Sequence, residues 1–392
     1  AGTFTRGTMT VTAGATNTVL FNGGVQSMTG NATTFVNLTI NNTSITIPAD
    51  ITVGTTLTFT AGNIITGSNN VIIPSTTTVN RTSGHVVGNM RKAVATGSSI
   101  SKTFEVGTST DYTPLVLVYS VVSVAGNFTV STTASDHASI LTSGFNPSYT
   151  INRYWTVTNA TTVYTNYTAT ATFVNGDKDP GYTPANSIIK IYNGSSWSTP
   201  TAGSPTANTA VAQTITTPTT PNTVYLQIGD SNPNITGNLY SIASGNWSAT
   251  STWSQTSGGS TCYCTPTSIN DVVIESNKTV TMDGNPGVAK SLTVQTGGIA
   301  TWTSALTTNI GTSGVNIAST GDITGSSVGV LTTSGGLTLN KALTSTSVII
   351  KTITTAGQTI AGTGTLANLD INVNTTNNGN ITLTDVLTIT DG

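Results

Sequence analysis

The chain has 392 residues, a net charge of −2 and only 7% charged side chains, where a soluble domain ordinarily carries about 25%. Its 12 scattered Lys and Arg residues form no patch able to neutralise a phosphate backbone, which excludes a nucleic-acid partner. A hydrophobic content of 36% and a mean hydropathy of +0.08 exclude a disordered chain.

Thr takes the place of charge, with 87 residues, and Gly follows with 40. β-Branched enrichment of this kind favours strands. Two cysteines are too few for disulfides to hold the fold, and the length suits about two or three domains. The opening Ala1-Gly2-Thr3 carries no basic or apolar leader pattern. No apolar run nears the ~20 residues a membrane helix needs. The expectation is a mature secreted protein, or a fragment of one, without membrane insertion.

Helical periodicity is absent, and apolar residues alternate with Thr, Ser or Asn, the period-2 signature of half-buried strands. In residues 1–84 the alternation runs Val36, Leu38, Ile40, then Ile45, Ile47, then Ile51, Val53, then Leu57, Phe59. Runs of three to five residues separated by Asn41-Asn42 or Ala61-Gly62-Asn63 suit the coils of a solenoid. Residues 85–230 differ. Their strands are longer, carry most of the aromatics and are separated by Asn146-Pro147, Asp179-Pro180 and Thr217-Pro218 turns. They read as an antiparallel β-sandwich. Ser231-Asn232-Pro233-Asn234 reads as a linker. Residues 231–392 return to short runs such as Val272–Ile274, Leu292/Val294, Val315/Ile317 and Leu337/Leu339, with Gly297-Gly298 and Gly335-Gly336 between them. The expected fold is all-β: parallel β-helix (solenoid) segments flanking a central sandwich. Alternation alone leaves an antiparallel arrangement of the flanking segments open.

A long-period repeat joins the two ends. Gln26-Ser27-Met28-Thr29-Gly30 and Phe35-Val36-Asn37-Leu38-Thr39-Ile40-Asn41 return as Gln358-Thr359-Ile360-Ala361-Gly362 and Leu366-Ala367-Asn368-Leu369-Asp370-Ile371-Asn372. Leu57-Thr58-Phe59-Thr60-Ala61-Gly62 likewise returns as Leu387-Thr388-Ile389-Thr390-Asp391-Gly392. An offset of about 330 residues is what a stretch of a tandem array shows, with neighbouring repeats as its partners.

Two further segments carry a resemblance. One is Ser244-Gly245-Asn246-Trp247-Ser248, Ser251-Thr252-Trp253, Cys262-Tyr263-Cys264-Thr265-Pro266, Asn270-Asp271-Val272-Val273-Ile274 and Thr279-Val280-Thr281-Met282. The other is Gly88-Asn89-Met90-Arg91-Lys92, Phe104-Glu105-Val106-Gly107, Tyr112-Thr113-Pro114-Leu115 and Arg153-Tyr154-Trp155-Thr156-Val157. They resemble, respectively, the opening of β-solenoid modules and the intervening sandwich module in the large repetitive cell-surface adhesins of Bacteroidetes, including gliding-motility adhesins of the SprB type. The resemblance implies export by the type IX system, display on the outer surface, and adhesion to a surface polysaccharide or solid surface. The C-terminal sorting domain of such proteins is not visible in this sequence. These motifs mark a module type and no activity.

Candidate sites are few. Asn175-Gly176-Asp177-Lys178-Asp179-Pro180 sets Asp177 and Asp179 in one turn, where hard oxygen ligands suit Ca²⁺, although the full EF-hand spacing is missing and a solvated turn gives the same pattern. Cys262 and Cys264 read as a local disulfide, a pair of free thiols or half of a zinc site. Trp197, Trp247 and Trp253 are ligand-binding candidates, because exposed indoles stack on sugar rings, while buried indoles are core. Asp271 and Glu275, at i and i+4, would share a strand face. No catalytic residue or cofactor is assigned beyond the possible Ca²⁺: the acids are scattered and no phosphate loop or nucleophile elbow occurs. Sequons such as Asn37-Leu38-Thr39, Asn127-Phe128-Thr129, Asn166-Tyr167-Thr168 and Asn246-Trp247-Ser248 leave glycosylation open, although most arise by chance in a chain so rich in Asn and Thr. The expected role is a stiff structural unit of a surface filament, with a carbohydrate-binding module and a β-helix lyase or hydrolase as alternatives.

Overall fold

A computed structural model describes residues 2–5, 17–216, 222–231, 235–283, 287–325, 329–345, 347–353 and 357–389. The chain divides into two compact units, residues 1–233 and 234–392. Residues 232–234 of the expected linker, and 390–392 of the repeat, lie outside the described residues.

The first unit begins as a parallel solenoid. Thr18–Thr29, Thr33–Thr46 and Ile51–Ile73 lie one over the next, each pair parallel. Their register stacks Phe21, Ile40 and Phe59 in one column and Val19, Leu38 and Leu57 in another. Ile40, Leu38, Leu57 and Phe59 are fully buried, while Thr39 and Thr58 between them face outward. Burying such side chains contributes about 1.5–3 kcal/mol each.

The short runs read from the sequence are in places one continuous element. Ile51–Ile73 is a single strand of 23 residues that turns corners; it pairs with the rung below from Ile51 to Ile65, with register slips along the way. Gly62 makes one corner possible. Its φ is +83°, and a Cβ there would sit 2.0 Å from the Asn42 carbonyl oxygen.

Val86–Val94 is the element where the architecture changes. One edge pairs in parallel with Ile51–Ile73, and the other pairs antiparallel with Gly126–Thr133. From there Gly126–Thr133, Thr150–Asn159, Asn222–Asp230 and Ser187–Tyr192 continue as antiparallel neighbours. A second antiparallel sheet contains Gly97–Phe104, Leu115–Val124, Tyr167–Thr172 and Thr209–Ile215. Tyr119 and Tyr167 from this sheet meet Phe128 from the other, with ring centroids 5.1 and 6.3 Å apart, in a core that also contains Trp155 and Leu226.

In the second unit every pairing from Asn270 onward is parallel among the described residues, which removes the antiparallel alternative there. Three sheets form the walls of the coil. One wall stacks Val272, Leu292, Val315, Leu337 and Ile360 in an inward column. A second stacks Val280, Ala300 and Ile323. The third stacks Thr308, Leu331, Ile350, Leu369 and Leu387.

The scarcity of charge has a local logic. Residues in one column of a parallel stack are about 4.8 Å apart, so like charges there repel. Three ion pairs in this unit set opposite charges together: Lys290 with Asp271 at 2.8 Å, Lys341 with Asp322 at 2.9 Å and Lys351 with Asp370 at 2.9 Å.

Candidate functional site

The expected binding tryptophans separate into two groups. Trp247 and Trp253 are 3% and 0% exposed. They pack edge to face with centroids 5.3 Å apart, and the Trp253 indole N–H donates to the Trp247 carbonyl at 2.9 Å. Their strand context explains this. Gly237–Ser241 pairs in parallel with Asn270–Ile274 and antiparallel with Trp253–Ser254, so the tryptophans help close the first rungs of the second unit. They are core and offer no ligand face, which corrects the expectation for both. Cys262 and Cys264 are buried in the same region and joined by a disulfide, with the Cys262 N–H donating to the Trp253 carbonyl at 2.9 Å.

Trp197 is different. It is half-buried, and its neighbours form an aromatic group on one face of an antiparallel sheet. Register puts Tyr192 opposite both Trp197 and Tyr225, and Tyr225 opposite Thr156 on the strand that holds Tyr154. Tyr154, Tyr192, Trp197 and Tyr225 are all partly exposed. His137, from the loop after Gly126–Thr133, stands among the four rings at centroid distances of 5.2, 4.9, 5.5 and 4.7 Å.

Polar contacts fix this group. The His137 backbone N–H donates to the Gln227 side-chain oxygen at 2.9 Å, and the Ser139 backbone N–H donates to His137 Nδ1 at 3.1 Å. An accepting Nδ1 belongs to a neutral ring protonated on Nε2. Burial lowers the His137 pKa, in agreement with that state. The Trp197 indole donates to the Ser139 carbonyl at 3.1 Å and to Thr142 Oγ1 at 3.2 Å. The result is a partly exposed platform of rings packed around the buried His137. The alternation within the strands placed these rings on one side, but His137 enters from a loop and carries no periodic signal.

Asp177 and Asp179 do not converge on one another. Asp177 is buried and takes a two-pronged ion pair from Arg153, with both N–O distances at 2.8 Å, plus the Val174 N–H at 3.0 Å. Arg153 is itself 0% exposed. Asp179 accepts from the Thr150 N–H at 2.8 Å and from the Asn152 amide at 2.7 Å. The two acids therefore clamp the 175–180 turn onto Thr150–Asn159, a structural role in place of the expected Ca²⁺ ligation. Asp179 instead approaches Asp136, since both carboxylates lie within hydrogen-bond reach of Thr150 Oγ1, at 3.1 and 2.8 Å. Burial raises the Asp136 pKa, and the Asp179 charge adds to that shift. Among the described residues no three His, Cys, Asp or Glu side chains group as metal ligands.

Asp271 is held by Lys290 at 2.8 Å and by Ser291 Oγ at 2.6 Å. Those bonds lower its pKa, the Lys290 bond most, so the carboxyl is held ionised, the wrong state for a general acid.

Shallow hollows also mark the surface. One of about 250 Å³ is lined by Arg81, His85 and Tyr112, with the exposed Arg81 guanidinium stacked 3.4 Å over the Tyr112 ring. Another, of about 400 Å³, runs over Thr293, Asn316 and Thr338 on adjacent rungs. No helix among the described residues is long and apolar enough to cross a membrane. No known protein family matches the chain, and neither does a curated protein or a solved structure.

Proposed function

We propose that this chain is a structural repeat unit of a long secreted cell-surface filament or adhesin of the SprB-like kind. In this reading two β-solenoid segments flank a central antiparallel sandwich built from the two antiparallel sheets of residues 86–230. Its work is mechanical: a stiff spacer that holds an adhesive element away from the cell or carries force from it during gliding. Type IX export and an extracellular location belong to the same reading. The single observation that carries it is the return of the N-terminal solenoid sequence at the C-terminal end. The Cys262–Cys264 disulfide supports an oxidising location. The engagement of Asp177, Asp179 and Asp271 by protein donors supports a role without catalysis. Electron microscopy of the parent protein should show thin extended filaments on the cell surface; compact isolated particles would overturn the proposal.

One observation favours a second reading, a glycan contact at the Tyr154/Tyr192/Trp197/Tyr225 platform. A glycan array probed with the whole chain, and with Trp197→Ala beside it, separates the two. A spacer gives no signal, whereas a lectin-like platform gives one that Trp197→Ala removes.

A further inference from the structure

The two copies of the long-period repeat can be compared rung by rung. In the first, Phe35 lies opposite Val53, the register slips, and Asn37, Leu38, Thr39 and Ile40 then face Thr56, Leu57, Thr58 and Phe59. In the second, Leu366 lies opposite Leu383, the register slips, and Asn368, Leu369, Asp370 and Ile371 then face Val386, Leu387, Thr388 and Ile389. The irregularity falls at the same place and the same columns follow it. A one-residue slip would send every side chain to the other face, and bulges are site-specific devices. Similar composition alone does not produce this agreement. The rung below matches as well, since Phe4 faces Met28 as Leu337 faces Ile360.

What differs is the covering. In the first copy Thr78–Arg81 lies over the repeat, with Val79 opposite Leu57 and Arg81 opposite Phe59. Leu57 and Phe59 are 0% exposed. In the second copy Asn380–Ile389 is the last strand of its sheet among the described residues, and Leu387 and Ile389 are 49% and 64% exposed. A parallel edge with unpaired backbone groups and an open apolar column is a template for one more strand.

We infer that the Asn380–Ile389 edge is the docking surface for an adjoining copy of this module in the same polypeptide, entering in register at its residue 60 and laying its Thr78–Arg81 strand on as the next rung. The folding module thus runs from 234 through 389 and on through the counterpart of 60–233. A separate full chain does not serve as the occupant, because its own Thr78–Arg81 already covers its own Ile51–Ile73. The inference rests on the tandem-repeat reading for the supply of that copy, and on nothing about surface display.

The test is a fusion of residues 1–389 directly to residues 60–392 of a second copy. Amide exchange at Val386–Ile389 should slow by on the order of 100-fold or more relative to the single chain. Unchanged exchange with the first copy intact, or rapid proteolysis at the junction, overturns the inference. Register is tested in the same fusion. Thr388→Cys in the first copy should form a disulfide with Asn80→Cys in the second, because Thr58 faces Asn80 in the covered repeat. It should not do so with Thr78→Cys, two positions out of register. Equal cross-linking of both pairs also overturns it. Filaments without junction protection would sink this inference alone; junction protection in a parent protein that forms compact particles would sink the filament reading alone.

Discussion

The parallel stack from Asn270 to Ile389 and the antiparallel region from Val86 to Asp230 are made from the same Thr-rich vocabulary, yet they solve burial differently. The stack repeats inward columns, mostly aliphatic, along its walls and keeps its ion pairs, such as Lys290 with Asp271, near the surface. The antiparallel region encloses Arg153 with Asp177, and Lys92 with Glu105 at 2.7 Å, both pairs nearly inaccessible. It also holds His137 and a cluster of Tyr119, Phe128, Tyr164 and Tyr167. Repetition gives every rung the same neighbours, so simple aliphatics suffice. A region without that translation needs particular partners at particular places, and long-range ion pairs and ring contacts supply them.

The contrast can be broken or sharpened. Arg153→Ala leaves Asp177 buried without its cation and should destabilise residues 1–233 by about 3–5 kcal/mol. Denaturant-dependent amide exchange would read this, with protection in residues 234–392 unchanged; equal losses in both units would erase the distinction. Within the stack, Leu339→Ala, at a fully buried position, should cost about 2–5 kcal/mol. Leu387→Ala, on the open last rung, should stay within about 0.5 kcal/mol. Thermal melts of the two variants measure the gap, and equal costs would mean the last rung is already covered.

The response to pH should also divide the units. Burial raises the pKa values of Tyr119, Tyr164, Tyr167 and Tyr182, all in the first unit. In the unfolded chain tyrosine ionises near pH 10, so above that pH the unfolded state sheds protons the native state retains. Stability fully present below about pH 10 is then lost as pH rises, by up to about 1.4 kcal/mol per pH unit for each tyrosine. Burial lowers the pKa values of His85 and His137, with Arg81 and Arg153 adding to the shift at His85 and the Thr108 carbonyl and Asp111 opposing it. Here the unfolded state binds the extra protons, so stability falls as pH drops below about 6.5. Exchange of the first unit followed across pH should show both flanks; the second unit contains no histidine. A local effect is expected from reducing Cys262–Cys264. Its ring is short, so the loss is about 1–2 kcal/mol, confined to the first rungs of the second unit.

Much of this was legible in the sequence, for identifiable reasons. The alternation at Val36–Phe59 marks inward and outward positions because strand side chains alternate regardless of partner. Alternation alone did not carry parallel pairing, since Leu38 alternates in the same way whether Leu57 lies above it in a parallel or an antiparallel neighbour; the short runs joined by tight turns without helices pointed to it. Trp247 and Trp253 could not be assigned to inside or outside because no periodic element contains them; the Gly237–Ser241 pairing decides it. Asp177 lies in a turn and its partner on a strand 24 residues away, and neither residue announces the other. The disulfide was one of three open readings of Cys262 and Cys264, and the local backbone selects it.

The parallel walls of the second unit also set how it would yield under load. Each rung adds only about 4.8 Å along the stacking direction, yet the chain spends about 22 residues per turn, as from Val315 to its partner Leu337. A rung peeled from the end therefore releases roughly 70 Å of extended chain. It also exposes the next rung with its own ladder intact. Pulled from one end, such a stack behaves as a ratchet of equal small losses, lengthening more than tenfold per rung while the remainder stays folded and ready to rewind.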